Sequence, residues 1–306
     1  MEKQTLTILI AVFIGCFTPR LMAQESWIDD SIHKGLITLN TEYDFKALVS
    51  NDTIKNTSKT LKNINNAKKY FDTIFQTDLD FAVLFIENHK WNTYAYFPPP
   101  GMPQAGNGNV ILGLDKSVVS KEVEKMITQL PDEYLNALKP VYGKNIDLDL
   151  FYRETLSIHE LAHLYHFKKG TEPQRKWLQE LFATMAMYAF SKYNCDACYE
   201  MMDTYPEFTL RSGDGRAEFK TLNDFEEKYV QKLSPQNYEW FQMQFYKNAK
   251  SIIESNGDAI LAKLRNFLIQ TDLSTTDKLS DAELIIRLEK EVGKEVADVL
   301  ANWQYK

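Results

Sequence analysis

Three of the chain's five histidines lie within ten residues, Ser157 to His166, in the sequence SIHELAHLYH. That stretch is part of DLDLFYRETLSIHELAHLYHFKKG, residues 147–170, which contains no proline and closes on Lys168, Lys169 and Gly170. Basic residues suit the negative end of a helix, and glycine suits its stop, so this pattern predicts one long helix. Residues four apart on a helix differ by only about 40° around its axis, which puts His159 and His163 on the same face. Two imidazoles one turn apart on a rigid rod can share a metal ion. Glu160 is rotated about 100° from His159, close enough to such an ion to act on a water without being a ligand. In a chain of this composition the His-Glu-x-x-His spacing arises by chance about 0.006 times, so coincidence accounts for it poorly. His166 follows on the same face, where a donor to the site, a substrate contact and a surface histidine all remain open.

A catalytic zinc ion normally takes three protein ligands and leaves a position for water. The next helical stretch, KWLQELFATMA, offers Glu180, with sixteen residues between it and His163. That separation allows a turn through FKKGTEPQ and a return on a second helix, an αα-hairpin that would bring Glu180 over the histidine pair. Its neighbours Trp177, Leu178, Leu181, Phe182 and Met185 are apolar. A carboxylate buried among them needs a partner, and a cation would serve.

HELAH followed by WLQELFA resembles the gluzincin metallopeptidases, the thermolysin-like and aminopeptidase-N-like enzymes, over Ser157 to Ala186. The resemblance implies a gluzincin-like catalytic domain binding one Zn2+ through His159, His163 and Glu180, with Glu160 as general base in peptide hydrolysis. It also implies a Tyr or His on a later helix that stabilises the oxyanion. In NYEWFQMQFYKNA, Tyr238, Gln242 and Tyr246 share a face at spacings of four, and Tyr238 is the choice among them. Thr184 stands where thermolysin-like enzymes carry an aspartate, so the outer partner of a ligand histidine is expected from elsewhere. No aminopeptidase-type motif precedes the zinc helix. The strand at Asn109 to Leu114 falls where such enzymes place an edge strand that pairs with extended substrate.

The amino terminus narrows the compartment. Lys3, the apolar run Leu6 to Phe17 and the polar exit TPRLMAQ read as a secretory signal peptide over residues 1–23, cleaved near Ala23. The run is too short to span a membrane, and no other run is long enough, so the mature chain is expected to have no span. Cys16 makes an imperfect lipid-attachment site. Cleavage removes Lys3, Arg20 and Glu2, leaving 33 basic and 41 acidic residues and moving the net charge from −7 to −8. A balance this acidic argues against nucleic acid as a partner. Export to the periplasm or beyond also favours a local disulfide between Cys195 and Cys198 in NCDACYE, read as a loop staple.

The remaining pattern predicts an α+β fold. SKTLKNINNAKKYFDTIF reads as an amphipathic helix, LDFAVLFIE as a buried strand and residues 109–114 as a second strand after a loop rich in proline and glycine. Beyond Pro173 the chain reads as helical: Pro173 and Pro235 each open a helix in its first turn, Asn256-Gly257 ends the second, and Ser280 with Glu283 forms a capping box. The expected organisation is an N-terminal lobe of mixed α and β structure with a small sheet, residues 24–170, carrying the zinc helix. A helical C-terminal lobe, residues 171–306, supplies Glu180. Residues from Gln24 to about Ser50 could cover the cleft. The function expected is a secreted zinc metallopeptidase acting on a peptide or protein substrate. The alternatives are an exported non-catalytic binding or scaffold protein of the same fold, and a zinc hydrolase of a non-peptide amide or ester.

Overall fold

The computed structural model describes residues 27–52, 57–97, 99–167, 172–213, 217–229 and 233–305. The expected signal peptide, residues 1–23, and Cys16 within it lie outside them, as do Lys168, Lys169 and Gly170 at the expected end of the histidine helix. A short 3-10 turn, Asp30–His33, precedes strands β1 (Ile37–Thr38) and β2 (Lys46–Val49), helix α1 (Thr57–Phe75) and strand β3 (Ala82–Ile86). The one-turn α2 (Trp91–Tyr94) leads into β4 (Gln104–Gly106) and β5 (Asn109–Gly113). Helices α3 (Val118–Ile127) and α4 (Asp132–Tyr142) follow, and among the described residues no strand comes after β5. The rest comprises α5 (Leu156–Phe167), α6 (Lys176–Asn194), α7 (Asp196–Gly213), α8 (Leu222–Lys228), α9 (Pro235–Asn256), α10 (Ala259–Gln270), α11 (Asp281–Glu291) and α12 (Lys294–Ala301). The fold is α+β and mostly helical, as the pattern predicts.

The five strands are ordered β1-β2-β3-β5-β4; β2, β3 and β5 run parallel, while the outer strands β1 and β4 are antiparallel to their neighbours. Parallel strands covered on both faces read as unbroken apolar runs, which explains AVLFI and NVILG. Alternate residues divide between two cores. Val83, Phe85, Val110 and Leu112 join the main helical core, whereas Ala82, Leu84, Ile86 and Ile111 pack on the other face with Trp91 and Ile32. Within residues 27–50, Ile28, Ile32, Leu36 and Leu48 pack on the second face, Trp27, Leu39, Tyr43, Phe45, Ala47 and Val49 join the main core, and β1 forms the sheet edge opposite β4.

The main core runs from Phe45 to Trp303 and draws on residues either side of position 170. At its centre lies α6, buried without interruption from Trp177 to Ser191 and packed against α1, α5, α7, α8, α9 and α10. A helix that is apolar almost all round belongs in such a place. The α9 cap at Ser234 with Pro235 in the first turn, its end at Gly257 and the Ser280–Glu283 capping box are all present. Two expectations are corrected. The stretch 147–170 is not one uniform helix: Leu150–Thr155 is π-helical and hands over to α5, with Tyr152 and Thr155 turned into buried positions. Helix α6 begins at Lys176 with Arg175 as its cap residue, so Pro173 lies ahead of the first turn.

Candidate metal centre

Helix α5 carries His159 and His163 one turn apart, with ring centroids 4.7 Å apart and the rings nearly perpendicular. Their Nε2 atoms approach to 3.0 Å. The chain then turns back into α6, which packs along α5 and delivers Glu180. Its Oε2 lies 3.4 Å from His159 Nε2 and its Oε1 3.7 Å from His163 Nε2. One ligand atom from each residue falls within 4.8 Å of the others, so these three side chains could hold a metal ion. All three are buried, Glu180 to 2% exposure.

The carboxylate of Glu180 is held from both sides. Tyr229, just past α8, donates its hydroxyl to Oε1 at 2.6 Å, and Gln242 of α9 donates Nε2–H to Oε2 at 2.8 Å. Oriented this way, each oxygen presents its remaining lone pairs toward an imidazole. Thr184 lies one turn beyond Glu180, and its Oγ1 is 3.4 Å from His159 Nδ1. The outer contact to His159 therefore comes from Thr184 itself, which corrects the expectation that it lies elsewhere.

Glu160 is partly buried beside the cluster, and the backbone N–H of Ala105 in β4 donates to its carboxylate. Burial pushes this carboxyl up to about 8, with Glu180 adding to the rise and His159 and Ala105 opposing it. Burial also brings His163 down to about 4. On Glu180 burial works upward, but the charges and bonds of His163, His159 and Tyr229 outweigh it and hold the carboxyl at about 2. On His159 burial works downward, and the Glu180 hydrogen bond with the charges of Glu160 and Glu180 overcomes it, so the ring titrates above its usual range. Burial is the largest influence on all four groups, and Glu180 couples them: its charge raises His159, Glu160 and His163, while the two histidines hold it down. A divalent cation among these groups would offset the buried carboxylate charge.

Tyr238 is partly buried, hydrogen-bonded with Gln242 and Tyr229 and within the electrostatic reach of Glu180 and Glu160. Gln242, from the same predicted face, grips Glu180, whereas Tyr246 turns away and donates to Asp203 at 2.8 Å. His166 is fully buried, 6.0 Å from the His163 ring and 5.9 Å from that of Phe182, which corrects the reading of a surface histidine. The strand beside the zinc-type helix is β4, and β5 lies inside the sheet between β3 and β4. Only three residues long, β4 gave no alternating pattern to read. Tyr229 was missed because it lies 49 residues from Glu180 and nothing local marks it.

No protein-family model, curated protein or solved structure matches this chain. The site therefore has to be read from its own chemistry. Cys195 and Cys198 are disulfide-bonded, and among the described residues no helix is long and apolar enough to cross a membrane.

Proposed function

We propose that this chain is an exported, zinc-dependent metallopeptidase of gluzincin type, with His159, His163 and Glu180 as ligands and Glu160 as general base. The observation that carries this reading is the convergence of those three ligand atoms within 4.8 Å in a buried site, with an unligated carboxylate on the adjoining helical position. Two neutral imidazoles and one carboxylate form a donor set that suits zinc and leaves a coordination position open. When bound, zinc supplies Lewis-acid polarisation of a carbonyl and brings the acidity of water near neutrality.

Everything else is the work of the chain's own groups. Glu160, ionised once a neighbouring cation offsets the burial that raises it, takes a proton from the attacking water and passes it to the departing amine nitrogen, restoring itself for the next turnover. The Ala105 N–H keeps that carboxylate aimed. The Tyr238 hydroxyl, poised through Gln242 and Tyr229, donates to the oxygen that gains charge as the carbonyl becomes tetrahedral. β4 is a sheet edge packed against α5, and an extended peptide can add to such an edge through backbone hydrogen bonds.

The deciding experiment measures bound zinc per chain and hydrolysis of a broad peptide library. One zinc ion per chain, with cleavage that a chelator abolishes and zinc restores, is the expected result. A chain that binds zinc stoichiometrically and leaves every peptide intact would overturn the peptidase reading in favour of a scaffold or a hydrolase of other bonds. A chain that binds no zinc removes the metal site itself.

A further inference from the structure

The disulfide at the far end of α6 joins Cys195 and Cys198, only three residues apart. In the chain-entropy account a cross-link constrains the unfolded chain according to the loop it closes, so this one offers among the smallest structural returns available. Its surroundings are those of a reactive pair. Cys195 ends α6 and opens α7: its N–H donates to Ser191 O at 3.2 Å, and its sulfur accepts the Cys198 N–H at 3.3 Å, as an N-cap side chain does. The two sulfurs are also placed unequally. Cys195 is partly exposed, with Asp196 and Ala197 exposed beside it and the ring of Tyr193 48% exposed two residues before, whereas Cys198 is fully buried. The buried sulfur has its own donor, Asn63 Nδ2 at 3.9 Å from Cys198 Sγ.

From these observations we propose that Cys195–Cys198 is a thiol–disulfide exchange centre, reduced in the folded protein by a dithiol partner that attacks Cys195. The partner's thiolate forms a bond to Cys195 Sγ as the bond between the two cysteine sulfurs breaks. Cys198 leaves as a thiolate beside Asn63 Nδ2–H and takes a proton from water. The partner's second thiolate then attacks its own sulfur in the mixed disulfide, and Cys195 leaves as a thiolate that accepts the N-terminal N–H of α7 and is protonated in turn. The partner loses two electrons and becomes a disulfide, while the chain gains two electrons and two protons. Both departing thiolates thus find a hydrogen-bond donor already in place. Asp196 and Glu154, the latter accepting from Asn63 at 3.0 Å, are the carboxylates nearest in these contacts. Glu180 lies fifteen residues back along α6, about 22 Å at the helical rise, so exchange here is separate from the metal centre.

The test treats the zinc-loaded protein with dithiothreitol in the absence of denaturant, reading the redox state by mass on the peptide that contains both cysteines. Reduction is expected with the helical circular dichroism unchanged, and oxidised glutathione should restore the bond. A disulfide that opens only when denaturant is added overturns the proposal. The single variants measure the asymmetry. Cys195 in Cys198→Ser should form a mixed disulfide with oxidised glutathione about 100-fold faster than Cys198 in Cys195→Ser. Equal rates would contradict attack at Cys195, and the wild-type measurement stands even where a variant fails to fold.

Discussion

Helix α5 contributes to two polar clusters, and they are built on opposite plans. On one side, Tyr165 donates to Asp72 Oδ1 at 2.8 Å, and the buried Lys68 reaches Asp72 and Asp78 at 2.6 Å each. Burial works against the Lys68 ammonium, yet the bonds to the two aspartates outweigh it and raise its pKa. That cluster supplies its own cation. On the other side, His159, His163, Glu160 and Glu180 gather, and Glu180 is ion-paired with the two histidines and accepts from Tyr229 and Gln242. A network whose charges close internally has a structural use. One that leaves charge unmatched in a buried site is stable when something from solution completes it. Lys68, His159, His163 and Glu180 are all buried, so burial alone does not separate the two clusters.

The largest expected difference is in turnover. Glu160→Gln should lower the peptide-cleavage rate about 1000-fold while zinc per chain stays at one, because only the proton carrier is lost. Lys68→Met should leave the rate per folded molecule unchanged. A Glu160→Gln protein that cleaves at the wild-type rate would remove Glu160 from the chemistry. Zinc retention comes next. His159→Ala or Glu180→Ala should lose the ion on dialysis, and undiminished zinc in Glu180→Ala would dismiss that residue as the third ligand.

Stability separates the clusters too. At zinc a thousandfold above its dissociation constant, binding adds about 4 kcal/mol, so chelation should lower the melting temperature of the wild-type protein. Lys68→Met should cost about 2–3 kcal/mol with or without zinc. It strips a buried partner from Asp72, although the exposure of Asp78 softens the loss. Were the Lys68→Met cost to vanish on chelation, the two clusters would be one coupled system and the contrast would fail.

How much of this was legible beforehand follows from the range of each interaction. His159, Glu160 and His163 are set by helical geometry over one turn, so sequence spacing alone places them. Glu180 requires only that the chain turn back once, and its apolar neighbours announce a buried carboxylate. α1 carries its own helical periodicity, β3 and β5 show as short unbroken apolar runs, and all three are legible to within a few residues. Gln242 falls on the face predicted for Tyr238, whereas Tyr229 and Ala105 reach the site through packing between α6, α8, α5 and β4, and no local pattern encodes such contacts. Lys68 and Asp78 are likewise ordinary surface-type residues until α1 is laid against α5. The π-helical turn at Leu150–Thr155 escaped for another reason: a helix that gains one residue per turn keeps the same composition.

The finest distinction is between residues that hold the metal ligands and residues that hold the fold, and Tyr229 tests it. Its hydroxyl donates to Glu180 Oε1 at 2.6 Å, while its ring packs on Phe225 and lies beneath the Lys176 ammonium. Tyr229→Phe removes the hydroxyl and keeps the ring. Glu180 then retains Gln242 on Oε2 but can rotate about its last bond, so part of the orientation that zinc binding exploits must be restored at the moment of binding. Loss of an outer partner of this kind weakens metal affinity by about tenfold or somewhat more. Competition with a chromogenic chelator should show that change. The melting temperature of the zinc-free Tyr229→Phe protein should equal that of the zinc-free wild type, because the donor serves the ligand carboxylate more than the core. A zinc-free variant that melts early while binding zinc with wild-type affinity would place Tyr229 with Lys68, on the structural side of the comparison.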